Sequence, residues 1–290
     1  MIVDAHHHFW DPDRGHYPWM VGPMAKIRRP FGPDDLAPEL RNCGVAVTVL
    51  VQTWSSLDET WDFLQIAAET KFVAGVVGWV DLTRSDVGST INELRSSPNG
   101  RYLVGLRHQV HDEPDPRWLL RSDVDRGISA VGDAGLIYDL LVRPRELPAA
   151  LDLVRKHPDT TFVIDHIGKP NIAQREVSEW AQALAPFAAL PNVQCKLSGM
   201  VTEANWESWQ PDDLKPYVDL VIEFFGTSRV MYGSDWPVCL IAGSYRRVFD
   251  ALGYCIRDLS QTETLAALSI NPPYSPASTP GDLRCPMPLS

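Results

Sequence analysis

VAVTVLVQTWSSLDETWDFLQIAAETKFVAGVVGWV, residues 45–80, carries the reading of the fold. Val45–Thr53 and Phe72–Val80 are almost continuously apolar and rich in β-branched residues. Runs of that kind suit strands buried on both faces, as in a parallel sheet. Between them, LDETWDFLQIAAETK repeats its apolar residues at helical spacing.

The signature recurs along the chain. Ile2–His8, Leu103–Val110, Leu136–Val142, Thr161–His166, Val193–Ser198 and Arg229–Asp235 complete a set of eight strand-like runs. Helical spacing follows the third run in Ser85–Arg95, the fifth in RPRELPAALDLVRKH and the seventh in DDLKPYVDLVIEFFG, which stops on a glycine. Strand ends fall roughly 25–45 residues apart, about one βα unit. Eight such units predict an α/β protein, a single (β/α)₈ TIM barrel, with a doubly wound open sheet as the alternative. No composition shift divides the chain, so the barrel is expected to fill residues 1–271 as one domain. Residues 272–290 hold six of the 24 prolines. They predict an irregular tail with little part in the core and none in catalysis, with loose packing of Tyr274, Leu283 and Met287 over the last helix as the alternative.

Composition excludes several classes. The 290 residues carry 26 Lys and Arg against 37 Asp and Glu, a net charge of −11. Phosphate binding needs a basic surplus, so no nucleic-acid partner is expected. No apolar run reaches the ~18–20 residues that span a bilayer. No basic-then-apolar leader is visible. Five cysteines without a CxxC do not read as a disulfide framework. The expectation is a cytoplasmic protein with reduced thiols and no membrane partner; a homo-oligomer is left open.

In a barrel the active site lies at the C-terminal strand ends, and ionisable residues gather there. The first strand ends with His6, His7 and His8, the fourth with Arg107 and His108, and the fifth with Tyr138 and Asp139. The sixth gives Asp165 and His166, the seventh Lys196, the eighth Ser234 and Asp235. Charges ending apolar strands are expensive unless they share a site. Side chains alternate along a strand, so His6 and His8 point together and His7 points away. Two imidazoles in one mouth are a metal-ligand arrangement, which leaves His7 to packing. Plainer roles exist for the others: a helix N-cap for Asp235, a core histidine for His166, a structural ion pair for Lys196, and a pairing with Asp139 for Arg107. Trp10, Trp54, Trp79 and Trp236 read as wall packing or as the apolar floor of a pocket. The long connections Phe9–Pro33 and Gly199–Asp213 read as lids.

VDAHHHFWDP with YPW, GLRHQVHDEPDPRWL, GLIYDLLVRPRELP, FVIDHIGKP, KLSGMVTEANW and MYGSDWPVC follow one another in order, each at a strand end. Together they resemble the amidohydrolase-related (amidohydrolase 2) family over about residues 1–271, most nearly its sugar-lactonase branch of L-fuconolactonase and L-rhamnonolactonase type. The resemblance implies a (β/α)₈ barrel and a hydrolase that opens the cyclic ester of a small sugar lactone by Asp-assisted attack of water. It implies His6, His8, His166 and Asp235 as metal ligands, and Asp235, His166 and Lys196 as catalytic groups. Arg107, His108, Tyr138, Asp139, Trp10, Trp54 and Trp236 are the expected substrate contacts. Metal-dependent members carry a bridging lysine on strand 4, where this chain has Arg107, so a two-metal site is not expected. Their third histidine is on strand 5, where this chain has Asp139, and His166 comes one strand later. The cofactor expected is one divalent cation, Zn²⁺ foremost, weakly held or dispensed with. After Asn271 members resume with a short final helix, where this chain reads PPYSPASTPGDLRC.

Ester opening needs a base for water, a polarised carbonyl and a proton for the departing ring oxygen. A Zn²⁺ on His6, His8 and His166 would polarise the carbonyl; alternatively, Arg107, Lys196 and a protonated histidine would stabilise the oxyanion without metal. Two other readings remain open. One is a Zn-dependent decarboxylase, a lyase of the same superfamily, with Arg107 clamping a carboxylate. The other is a non-catalytic sugar-acid binding barrel.

Overall fold

The computed structural model describes residues 1–269 and Tyr274. Eight strands follow in chain order: β1 (Ile2–His7), β2 (Val45–Val51), β3 (Val73–Gly78), β4 (Leu103–His108), β5 (Ile137–Leu140), β6 (Phe162–Ile164), β7 (Val193–Leu197) and β8 (Val230–Tyr232). They form one parallel sheet in which each pairs with its sequence neighbour. The seam between β1 and β8 is drawn together by residues just past β8. Asp235 N donates to His6 O at 2.8 Å, and His8 N to Trp236 O at 2.7 Å. The sheet is therefore the expected barrel and not the open alternative.

Alternation along the strands sorts the core. Val49 and Val51 face the interior with Ala5, Val77, Val104, Ile137, Val163 and Met231, while Leu50 and Val76 face the helices. The helices are α1 (Pro33–Cys43), α2 (Leu57–Glu69), α3 (Val87–Ser96), α4 (Ser122–Asp133), α5 (Leu147–Lys156), α6 (Ser178–Leu184), α7 (Met200–Glu203), α8 (Pro211–Phe225), α9 (Tyr245–Cys255) and α10 (Gln261–Leu268). In α2, Ser56 caps the first turn by accepting from Glu59 N, and Thr60, Phe63, Leu64 and Ala67 make the buried stripe. Several strands stop short of their apolar runs. β2, for example, ends at Val51; Gln52 N still donates to Val77 O at 2.8 Å, and Thr53, held by Glu59, lines the mouth. Helices α1 and α4 lie where the pattern assigned none, because charges and Gly or Pro interrupt PDDLAPELRNC and SDVDRGISAVGD.

Among the described residues no helix is long and apolar enough to cross a membrane. The expectation for residues 272–290 lies outside the described residues except at Tyr274, where it is corrected. Tyr274 is 1% exposed and belongs to the barrel interior. Proline content limits the backbone; it does not stop one aromatic ring from burying a large apolar area.

Candidate active site

His6 and His8 leave β1 on the same face, their rings 4.9 Å apart. His7 turns the other way, with Nε2 2.8 Å from Thr48 Oγ1 and its ring against Phe9. At the end of β6 the backbone breaks alternation. His166 and Ile167 adopt left-handed conformations, φ 53° and 50°, uncommon for residues with a Cβ. Consecutive Asp165 and His166 thereby both reach the interior. A Cβ at Gly199 would run into His166 Nδ1; the glycine leaves room for that ring, whose Nδ1 lies 2.8 Å from Ser198 Oγ. Asp235 is also left-handed, φ 56°, a strained backbone of the kind that clusters at functional sites. Its neighbour Ser234 donates from N to Asp4 Oδ1 at 2.9 Å, and Tyr245 donates to Asp4 Oδ2 at 3.0 Å.

These turns bring four side chains together. Asp235 Oδ1 lies 3.2 Å from His8 Nε2 and 3.9 Å from both His6 Nε2 and His166 Nε2. His8 Nδ1 donates to the Val51 carbonyl at 2.7 Å. A carbonyl only accepts, so Nδ1 carries a proton, and Nε2 is the ring nitrogen that faces the Asp235 carboxylate. Such a facing pair suits a shared cation. His6, His8 and Asp235 offer donors within 4.8 Å of one another, as do His6, Asp165 and His166. Imidazole with carboxylate is a zinc-type donor set.

Burial holds the His6 and His166 imidazoles well below their usual value. Burial pushes the Asp235 carboxyl up, but His166 and His8 outweigh it, so it stays below the usual range and ionised.

A charged layer lies beneath. Lys196 Nζ pairs with Asp139 Oδ2 at 2.5 Å and Asp165 Oδ1 at 3.0 Å. Asp165 also pairs with Arg107 Nη1 at 2.9 Å and His6 Nδ1 at 3.3 Å. Arg107 therefore pairs with Asp165 and not with Asp139, which Lys196 occupies. Burial pushes Asp139 up to about 6. For Asp165 burial is outweighed by Lys196 and His6, and the carboxyl falls well below its usual range.

Above this layer opens a cavity of about 280 Å³, near the lower end of the ~300–1,000 Å³ usual for ligand pockets. Of the candidate residues, His8, Trp10, Arg107, His166 and Asp235 line it. His6, Lys196 and Asp139 are fully buried below. Tyr138 packs on Phe162. His108 stacks on Trp118 and accepts from Trp79 Nε1. Trp54 lines a neighbouring cavity of about 350 Å³ that shares Trp10, and Trp236 packs on Phe9 and Phe31. Sequence reasoning did not single out Trp19, Thr53, Gln109, Arg143, Lys169 and Trp206, which also line the first cavity. Trp19 and Trp206 come from the two long connections, whose length was the available signal. Lys169, inside the FVIDHIGKP motif, pairs with Glu203 at 2.5 Å and links the loops after β6 and β7.

A family model described as amidohydrolase matches residues 3–272. An L-fucono-1,5-lactonase of Burkholderia ambifaria is 41% identical over 255 residues, 87% of this chain and 86% of that protein. An L-fucono-1,5-lactonase of Burkholderia multivorans is 37% identical over 256 residues, 85% of each. The crystal structure of a Burkholderia multivorans amidohydrolase with bound zinc aligns with a TM-score of 0.88 at 34% identity, covering 93% of this chain and 96% of that one.

Proposed function

This chain belongs to the amidohydrolase family, and from that premise we propose that it hydrolyses the cyclic ester of a small sugar lactone of the L-fucono-1,5-lactone class. The observation that carries the reading is the convergence of His6, His8 and His166 on Asp235 at the floor of a tryptophan-lined cavity. The two L-fucono-1,5-lactonases at 41% and 37% identity favour it over a decarboxylase or a silent binding barrel.

His6, His8, His166 and Asp235 would hold one divalent cation, Zn²⁺ by donor type; zinc is bound in the Burkholderia multivorans relative. Bound there, the ion supplies carbonyl polarisation and a lower water pKa. The chain's own residues do the rest. Trp10, Trp19 and Trp206 give the sugar ring apolar faces, while Thr53, Gln109 and Arg143 offer hydrogen bonds to its hydroxyls. Ionised Asp235 takes a proton from the attacking water. As the bond between acyl carbon and ring oxygen breaks, the same carboxyl returns that proton to the ring oxygen, leaving an open-chain hydroxy acid. Such acid–base help contributes roughly 10²–10⁴-fold. Arg107, fixed by Gln52 and Asp165, directs positive charge at the carbonyl oxygen from the floor. The proposed compartment is the cytoplasm, in keeping with the free thiols of Cys43, Cys195, Cys239 and Cys255.

A pH-indicator assay over a panel of aldonolactones tests the reading, run as purified, after chelation and after Zn²⁺ is restored. The expected outcome is turnover of a six-membered deoxysugar lactone that chelation lowers and Zn²⁺ restores. No hydrolysis of any lactone under all three conditions overturns it.

A further inference from the structure

Tyr274 is the one aromatic residue among residues 272–290, a stretch that sequence reasoning set aside. Its ring sits among Ala5, Val49, Val77, Ile137, Val163 and Met231, the inward side chains of six different strands. An apolar slot of this kind would take phenylalanine as readily, so the hydroxyl calls for its own explanation. It donates to Asp139 Oδ1 at 2.5 Å. The other oxygen, Asp139 Oδ2, accepts from Lys196, whose Nζ also lies 5.1 Å from the centre of the Tyr274 ring. Lys196 is shared with Asp165, whose Oδ1 lies 3.0 Å from Nζ and 3.3 Å from His6 Nδ1. Lys196 Nζ itself lies 3.3 Å from His6 Nδ1, so three contacts lead from Tyr274 through Asp139 and Lys196 to the His6 imidazole, whose Nε2 lies toward Asp235. Every member is buried, so no water from the surface replaces a lost donor without a new cavity.

We propose that Tyr274 is a positioning residue for the active site. Its hydroxyl anchors the Asp139 carboxylate, Asp139 fixes Lys196 between two carboxylates, and the fixed Lys196 orients the His6 ring through Nδ1. Partners behind a ligating histidine commonly change metal affinity or activity by about 10–100-fold. Tyr274 stands further back, so the lower end of that range is expected. The kinetic arm of the test rests on the proposed lactone hydrolysis; the metal arm does not.

Tyr274→Phe keeps the ring and deletes the hydroxyl, whereas Tyr274→Ala deletes both. Both variants, with Asp139→Asn and the double variant Tyr274→Phe/Asp139→Asn, are measured for Zn²⁺ affinity of the metal-free protein by calorimetry, for kcat and KM on the lactone panel, and for Tm. For Tyr274→Phe the expected result is a near-native Tm, Zn²⁺ binding about tenfold weaker, kcat about tenfold lower and KM within about twofold. The double variant should lose no more than Asp139→Asn alone, since both changes cut one path. Zn²⁺ affinity and kcat of Tyr274→Phe both within about twofold of wild type, with only Tyr274→Ala impaired in Tm, would make the ring a filler and overturn the proposal. If the wild-type chain opens no lactone, the hydrolase reading fails by itself, and the Zn²⁺ affinities alone decide the role of Tyr274.

Discussion

At the N-terminal end of the barrel, Val49, Val77, Ile137, Val163 and Met231 pack around the ring of Tyr274. At the other end, on the same strands or just beyond them, stand three imidazoles, Asp235 and the ion pairs of Asp139, Lys196, Asp165 and Arg107. The first region is held by burial of apolar area, which is non-directional and tolerates exchange of one aliphatic group for another. The second consists of groups that are stable there only in the company of one another. The left-handed backbone of His166 and Asp235 is confined to that second region. One end of the barrel therefore secures the fold, the other spends part of that stability on geometry, and the buried ion layer belongs to both.

The layer gives the largest effect. Lys196→Ala would leave Asp139 and Asp165 buried and facing each other, and is expected to cost about 3–5 kcal/mol of stability. A urea titration measures it, and a near-native midpoint would detach the layer from the fold. Asp235→Asn keeps the shape of the mouth and removes the base. We expect kcat to fall by at least ~10²-fold with the urea midpoint nearly unchanged; a folded variant with native turnover would break the division at its catalytic end. Trp206→Ala opens one wall of the cavity and should raise KM by up to about tenfold with a smaller change in kcat, as expected when ground-state and transition-state binding are lost together. At the apolar end, Ile137→Val deletes one buried methylene and should cost ~0.5–1.5 kcal/mol while kcat stays native. A turnover defect there would show that the two ends are not separable.

Much of this was legible in the sequence, for a physical reason. A strand buried on both faces must be apolar, so VAVTVLVQT and FVAGVVGWV announce themselves, and polar residues at such strand ends mark the mouth. The i, i+2 rule correctly parted His7 from His6 and His8 because β1 remains a strand through His7. The same rule gives no account of Asp165 and His166, which point inward in succession only because the backbone turns left-handed after Ile164. Lys196 read as a catalytic group and Asp139 as a substrate contact, since strand position tells direction but not depth; both lie in the buried ion layer. His108 and Tyr138 fall on the outward side of their strands and pack away from the cavity. The burial of Tyr274 inside the barrel was illegible, because a single side chain carries no periodicity.

The seam between β1 and β8 has a consequence in time. His6 and His8 lie near the start of the chain, whereas the residue that faces them, Asp235, also closes the barrel by donating to His6 O. During synthesis at roughly 5–20 residues per second, the two histidines would wait on the order of ten to fifty seconds for their partner. Barrel closure and completion of the site are one event, so a ribosome-bound chain that ends before β8 has neither.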